Sequence, residues 1–109
     1  MNVAIVGTGY VGLVTGVCLA ERGNSVHCVD NNPRIVERLN GGEVTIYEPG
    51  LEEIYSRNLR KGRISFSGDL EKAAVAAEVI FLCLPTPPGE DGSADLQYIL
   101  RVAEDLGKI

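Results

Sequence analysis

"VGTGYVG", Val6 to Gly12, decides how this chain is read. Its glycines fall as Gly7-x-Gly9-x-x-Gly12, directly after the apolar run Val3-Ala4-Ile5-Val6. A short run that is apolar on both faces reads as a central parallel strand, here over 3–6. Behind the glycines, Val11, Val14, Val17 and Cys18 recur at helical spacing over 10–22, and Gly23-Asn24 stops the helix. Glycine spacing alone is a weak signal; a strand before it and a helix after it make it a strand–turn–helix unit. Gly7 then permits the tight turn, Gly9 lets the backbone approach a pyrophosphate, and Gly12 lets the helix lie close to the strand. The helix N-terminus presents N–H groups and partial positive charge to an anion, with Tyr10 and Val11 as backbone donors. The competing reading is a structural turn with no ligand, in which Tyr10 is a rim residue and Val11 a core one.

The next stretch sharpens the choice. Ser25–Asp30 reads as a second strand ending in an acid. A carboxylate there can accept hydrogen bonds from an adenosine ribose diol and repels a 2′-phosphate, which favours NAD over NADP. Asp30 can instead be a helix N-cap or a solvated turn residue. Pro33 suits the first turn of a helix whose stripe is Ile35, Val36 and Leu39, ended by Gly41-Gly42. Arg34 either flanks the adenosine phosphate or ribose or is a surface arginine.

The rest of the chain continues the alternation. Pro49 and Gly50 in "EPGLEEIYSRNLRKG" turn into a helix with Glu52 and Glu53 in its first turn and Arg57, Arg60 and Lys61 near its end, as the macrodipole prefers. Gly62 ends it. A short strand of alternating polarity is expected over 63–67, then an Ala-rich helix over 70–77 capped by Asp69. Val79–Leu84 is the most apolar run and the fourth strand. "PTPPGEDGSAD", 85–95, is a loop, and Asp95 caps a final helix with Leu96, Ile99, Leu100 and Ala103 on one face. The order β-α-β-α-α-β-α-β-α predicts an α/β fold: a Rossmann-type doubly wound parallel sheet, incomplete, with about four strands and flanking helices. The chain stops at "DLGKI", the point from which a fifth strand is expected to follow, so it reads as part of a longer protein. The uncovered edge of the fourth strand then predicts association through that edge.

Bulk properties bound the function. The 109 residues suffice for one domain, and 45% hydrophobic with 23% charged residues is the mix of an ordinary soluble protein. A net charge of −5, with basic residues grouped only at Arg57, Arg60, Lys61 and Arg63, argues against a nucleic-acid partner. No run reaches membrane-span length, and no targeting segment precedes the first strand, so a cytoplasmic protein is expected. Cys18, Cys28 and Cys83 lack CxxC spacing and accompany a single histidine, His27. All three read as small core hydrophobes, with no disulfide and no metal site.

Two further stretches carry a resemblance: "IYEPGLEEI" (46–54) and "FLCLPTPP" (81–88). With "VGTGYVGLVTG" and the Val-Asp of the second strand, they resemble the N-terminal region of the UDP-glucose/GDP-mannose dehydrogenase family, in order and across essentially the whole chain. The resemblance implies oxidation of the C6 alcohol of a nucleotide sugar to a carboxylate with two NAD⁺, through a later catalytic cysteine, in a homo-oligomer. UDP-glucose is the leading substrate, with GDP-mannose and UDP-N-acetyl sugars open. It implies NAD contacts from Gly7, Gly9, Tyr10, Val11, Gly12, Asp30, Arg34 and Thr86. Tyr47 and Glu48 either border the cofactor or sugar cleft, or Tyr47 packs and Glu48 begins a turn. The family's catalytic residues lie beyond Ile109, so this chain is expected to bind but not turn over. The competing functions are a nucleotide-sensing regulatory domain and another dehydrogenase, such as a hydroxyacid dehydrogenase, sharing this half.

Overall fold

A computed structural model describes residues 1–85 and 96–109. Four parallel strands form one sheet: β1 (Asn2–Val6), β2 (Ser25–Val29), β3 (Ile64–Ser67) and β4 (Val79–Leu82), in the spatial order β3-β2-β1-β4. Between and after them run α1 (Tyr10–Glu21), α2 (Pro33–Asn40), α3 (Leu51–Arg60), α4 (Leu70–Ala76) and α5 (Gln97–Gly107). The expected α/β order is the observed one, and the element ends differ by a residue or two. The larger difference is at β4, which stops at Leu82 rather than Leu84. The expected Asp95 cap lies outside the described residues; Leu96 stands at the N-cap of α5 and makes no side-chain cap bond.

The sheet is buried unequally on its two faces. Register places Val3, Ile5, Val26, Cys28, Ile64 and Phe66 on one side, where they meet Leu13, Val17 and Ala20 of α1, Leu39 of α2 and Leu51 and Tyr55 of α3. The Tyr55 and Phe66 rings meet tilted, with centroids 6.2 Å apart, a geometry that adds about 0.5–1.5 kcal/mol to simple burial. The Tyr55 hydroxyl donates to the Leu39 carbonyl, so the buried ring has no orphaned polar tip. The other face is thin: Ala4 and Val29 meet Ala73 of α4.

Helix ends follow local rules. The Asn32 side chain accepts from the Arg34 N–H at 3.0 Å and caps α2, with Pro33 behind it. The Asp69 carboxylate accepts from the Lys72 N–H at 3.0 Å and caps α4, as expected. Gly50 precedes α3 with φ +82°, a left-handed turn that suits glycine. Between helices, the Glu21 carboxylate of α1 accepts from Arg57 and from the Asn58 amide of α3. Hydrogen bonds from these two residues, Arg57 first, hold the Glu21 carboxyl below its ordinary range.

Three expectations need correction. The buried stripe of α1 is Leu13, Val17 and Ala20 with Gly12 and Gly16, while Val11 and Cys18 are exposed. The two glycines, one turn apart, let the helix lie so near the sheet that they choose the contact face. A Cβ on Gly16 would sit 3.1 Å from Cys28 Sγ. Hydropathy spacing cannot see that steric choice. Cys18 is therefore no core residue. Cys28 is, and burial pushes its thiol up to about 12. Finally, α5 turns Val102 inward and leaves Leu96 and Leu100 exposed, because no described element covers its expected apolar face.

Candidate functional site

Sheet order creates the site. β1 leads through α1 to β2 on one side, while β4 joins β1 on the other. Loops leaving the carboxyl ends of these strands diverge there and open a crevice, the usual ligand position in an open α/β sheet. A cleft of about 850 Å³ lies at this point. Its floor and sides are built from Gly7, Thr8, Gly9, Asp30, Leu82 and Cys83, and α5 adds Tyr98 and Val102.

The glycine turn is shaped by backbone contact. The Gly7 N–H donates to the Val29 carbonyl at 2.7 Å, and Gly7 adopts φ +102°. A Cβ there would strike the Cys83 carbonyl oxygen, and one on Gly12 would strike the Gly7 carbonyl oxygen and lie 3.1 Å from Cys83 Cβ. Both positions thus exclude any side chain on packing grounds. Gly9 is different: among the described residues a Cβ there meets nothing within 4 Å. Packing among the described residues does not demand that glycine; what it leaves is open room beside the helix end.

Gly9 is also the N-cap of α1, with no side-chain cap bond and no acid in the first turn. The first-turn N–H groups of Tyr10, Val11 and Gly12 have no acceptor within the helix. Most helices satisfy such donors with a Ser, Thr, Asp or Asn cap. Here, among the described residues, no side chain caps the twelve-residue helix, so these N–H groups face the cleft with its dipole behind them.

Opposite stands Asp30, one residue past β2. Its Oδ2 accepts from the Thr8 N–H at 3.0 Å and the Thr8 hydroxyl at 2.7 Å, and its Oδ1 accepts from the Asn32 N–H at 2.9 Å. Asp30 is not the cap of α2; Asn32 holds that position. The carboxylate is half-buried and held at the cleft wall. An uncapped helix terminus for a diphosphate, an open Gly9 and a fixed acceptor for a ribose diol fit a dinucleotide.

The other expected residues divide. Tyr10 and Val11 line the cleft, which accounts for the exposure of Val11. Gly12 lies beneath it as a packing position. Arg34 is exposed on α2, and its side chain is not part of the cleft wall. Thr86 lies outside the described residues. Tyr47 does not pack; it is 87% exposed. Glu48 begins the turn into α3, its carbonyl accepting from the Leu51 N–H at 3.0 Å, while its carboxylate accepts from the Tyr10 hydroxyl. The "YEPGL" stretch is thereby tied to the glycine turn. Two contributors went unread in the sequence. Thr8 carried a legible signal, a hydroxyl inside the turn. Tyr98, whose hydroxyl accepts from the Asn31 amide at 2.7 Å, carried none, because α5 meets β2's end only in three dimensions.

Comparison with known proteins agrees with this geometry. The UDP-glucose/GDP-mannose dehydrogenase family, NAD binding domain, matches residues 1–109. A UDP-glucose 6-dehydrogenase of Pseudomonas aeruginosa is 50% identical over 107 residues, covering 98% of this chain and 24% of that protein. Among solved structures, a UDP-glucose dehydrogenase from Pyrobaculum islandicum superposes with TM-score 0.91 at 47% identity, over 96% of this chain and 24% of that one. A ternary complex of GDP-mannose dehydrogenase from Pseudomonas aeruginosa gives TM-score 0.93 at 38% identity, over 98% and 24%. The chain thus spans about a quarter of the length of the relatives it matches.

Proposed function

This chain belongs to the UDP-glucose/GDP-mannose dehydrogenase family and is an NAD binding domain of it, and from that premise we propose that it serves an enzyme oxidising UDP-glucose to UDP-glucuronate. Identity to a UDP-glucose 6-dehydrogenase, 50%, exceeds that to a GDP-mannose 6-dehydrogenase, 38%, over the same number of residues. That difference supports the choice of sugar nucleotide. Residues 1–109 form the N-terminal part of the cofactor domain, and the groups that attack the oxidised sugar come from other parts of the enzyme. The whole protein is a cytoplasmic homo-oligomer in this reading.

The uncapped N-terminus of α1 facing an acid held at the end of β2 is the observation that carries cofactor binding. NAD⁺ supplies the hydride acceptor when bound. The chain's part is to hold it. First-turn N–H groups of Tyr10, Val11 and Gly12 take the pyrophosphate, Gly7 and Gly12 shape the turn, and Gly9 leaves room for approach. Asp30 accepts from the adenosine ribose and disfavours a 2′-phosphate. Arg34 and Thr86 are assigned as contacts on the family resemblance.

Calorimetric titration of the chain with NAD⁺ and NADP⁺ tests this. Saturable NAD⁺ binding is expected, weaker for NADP⁺, and Asp30→Ala should weaken NAD⁺ binding by roughly tenfold or more, the loss of charge-assisted hydrogen bonds. A folded chain that takes up neither nucleotide would refute the assignment. For the whole enzyme, NADH production with UDP-glucose, set against GDP-mannose, tests the substrate.

A further inference from the structure

The hydrogen bonds around Asp30 are unequal. An ionised carboxylate offers about four lone-pair positions, two on each oxygen. Both positions on Oδ2 are taken by Thr8, through its N–H at 3.0 Å and its hydroxyl at 2.7 Å. Oδ1 accepts from the Asn32 N–H at 2.9 Å. Among the described residues, the position left over is therefore on Oδ1. Thr8 is only 3% exposed, so its hydroxyl has little water to bond instead, and its O–H is drawn to the carboxylate.

We infer that Thr8 is a positioning residue that saturates Asp30 Oδ2, so that Asp30 reads the ribose diol of the cofactor through Oδ1 and discriminates strongly at one of its two hydroxyls. This rests on the assignment of Asp30 to the adenosine ribose. Two features of Thr8 are separable. Its backbone N–H orients the carboxylate and survives any side-chain substitution. Its hydroxyl fills the last position on Oδ2 and is lost in Thr8→Ala, which also vacates the space that the hydroxyl occupies. With the hydroxyl gone, Oδ2 regains an acceptor position and can take the second ribose hydroxyl. The unequal reading of the diol should then become more even. The motif position between the first two glycines thereby acquires a role in cofactor recognition without touching the cofactor.

The test compares NAD⁺ with its 2′-deoxy and 3′-deoxy adenosine-ribose analogues, by calorimetry on the 109-residue chain. In the natural sequence, removing one hydroxyl should weaken binding about tenfold or more, and removing the other by less than about threefold. Thr8→Ala, or Thr8→Gly should alanine disturb the fold, should bring the two penalties within about threefold of each other. Thr8→Ser keeps the hydroxyl and should keep the inequality. Equal penalties in the natural chain overturn the inference, as does an inequality that persists without the hydroxyl or vanishes with serine. Asp30→Ala separates the premise from the inference. If it leaves both penalties unchanged, Asp30 does not read the ribose. If it abolishes them while Thr8→Ala changes nothing, Asp30 stands and Thr8 falls. Absence of NAD⁺ binding to the natural chain overturns both.

Discussion

Gly9 and Gly12 look alike in a motif and are opposite in physics. Gly12 is required by the fold: a Cβ there would overlap the Gly7 carbonyl oxygen, which is backbone and cannot step aside as a flexible side chain would. Gly12→Ala should destabilise the chain by at least about 1–3 kcal/mol in urea unfolding, despite alanine's better helix propensity. Packing among the described residues does not require Gly9, since a Cβ there meets none of them within 4 Å, at an ordinary negative φ of −74°. Gly9→Ala should unfold within about 1 kcal/mol of the natural chain. In the proposed binding mode it should weaken NAD⁺ binding on the order of tenfold or more, by placing a methyl group in the approach of the pyrophosphate. A Gly9→Ala chain that binds NAD⁺ normally would show that the turn does not meet the cofactor there. At this scale the sequence was most informative. The three glycines, Asp30 and the Asp69 cap are each legible from residue type and neighbours. Thr8 was legible only as a hydroxyl of unknown purpose.

Between elements, the β2–β3 pair holds the one histidine. His27 Nε2 and Ser67 Oγ lie 2.7 Å apart across the register that pairs His27 with Ser65. Burial lowers the His27 pKa, and the nearby Lys72 charge lowers it further, while Asp69 partly opposes them. The sign follows from linkage. A folded-state pKa below the unfolded one disfavours the protonated ring in the native state. Stability is then complete above the unfolded histidine value of about 6.5 and declines as pH falls through the lower folded value. The urea midpoint should therefore drop on moving from neutral pH to about 5.5. His27→Gln, which can still hydrogen-bond to Ser67, should flatten most of that slope. An unchanged slope in the variant would assign it to other groups. Spacing reads the existence of β2 and β3 well. It does not reveal that His27 pairs with Ser67, because strand adjacency is a tertiary fact.

For the whole molecule, β4 carries the open question. It is an edge strand among the described residues, and Val79, Ile80 and Phe81 are 36–39% exposed although they form the most apolar run in the sequence. An exposed apolar edge recruits another strand. The chain should therefore self-associate in sedimentation as concentration rises, and Ile80→Lys, which places a charge on that strand, should suppress the association. A concentration-independent monomer at high concentration would show that this edge does not recruit a second copy of the chain.

What the sequence determined by itself is local: which segments are strands and helices, where caps and turns stop them, and that a glycine turn followed by a strand-end acid suits a dinucleotide. These are set by propensity, spacing and backbone sterics within a few residues, so they survive without knowledge of neighbours. The tertiary structure alone decided which face of α1 is buried, that Cys18 points outward, that Tyr98 and Val102 of α5 wall the cleft, and that Asp30 Oδ2 is filled by Thr8. Each of these depends on how closely two distant pieces of backbone approach. That distance is set by packing across the sheet, at Gly12, Gly16 and the end of β2, and hydropathy along one segment carries no record of it.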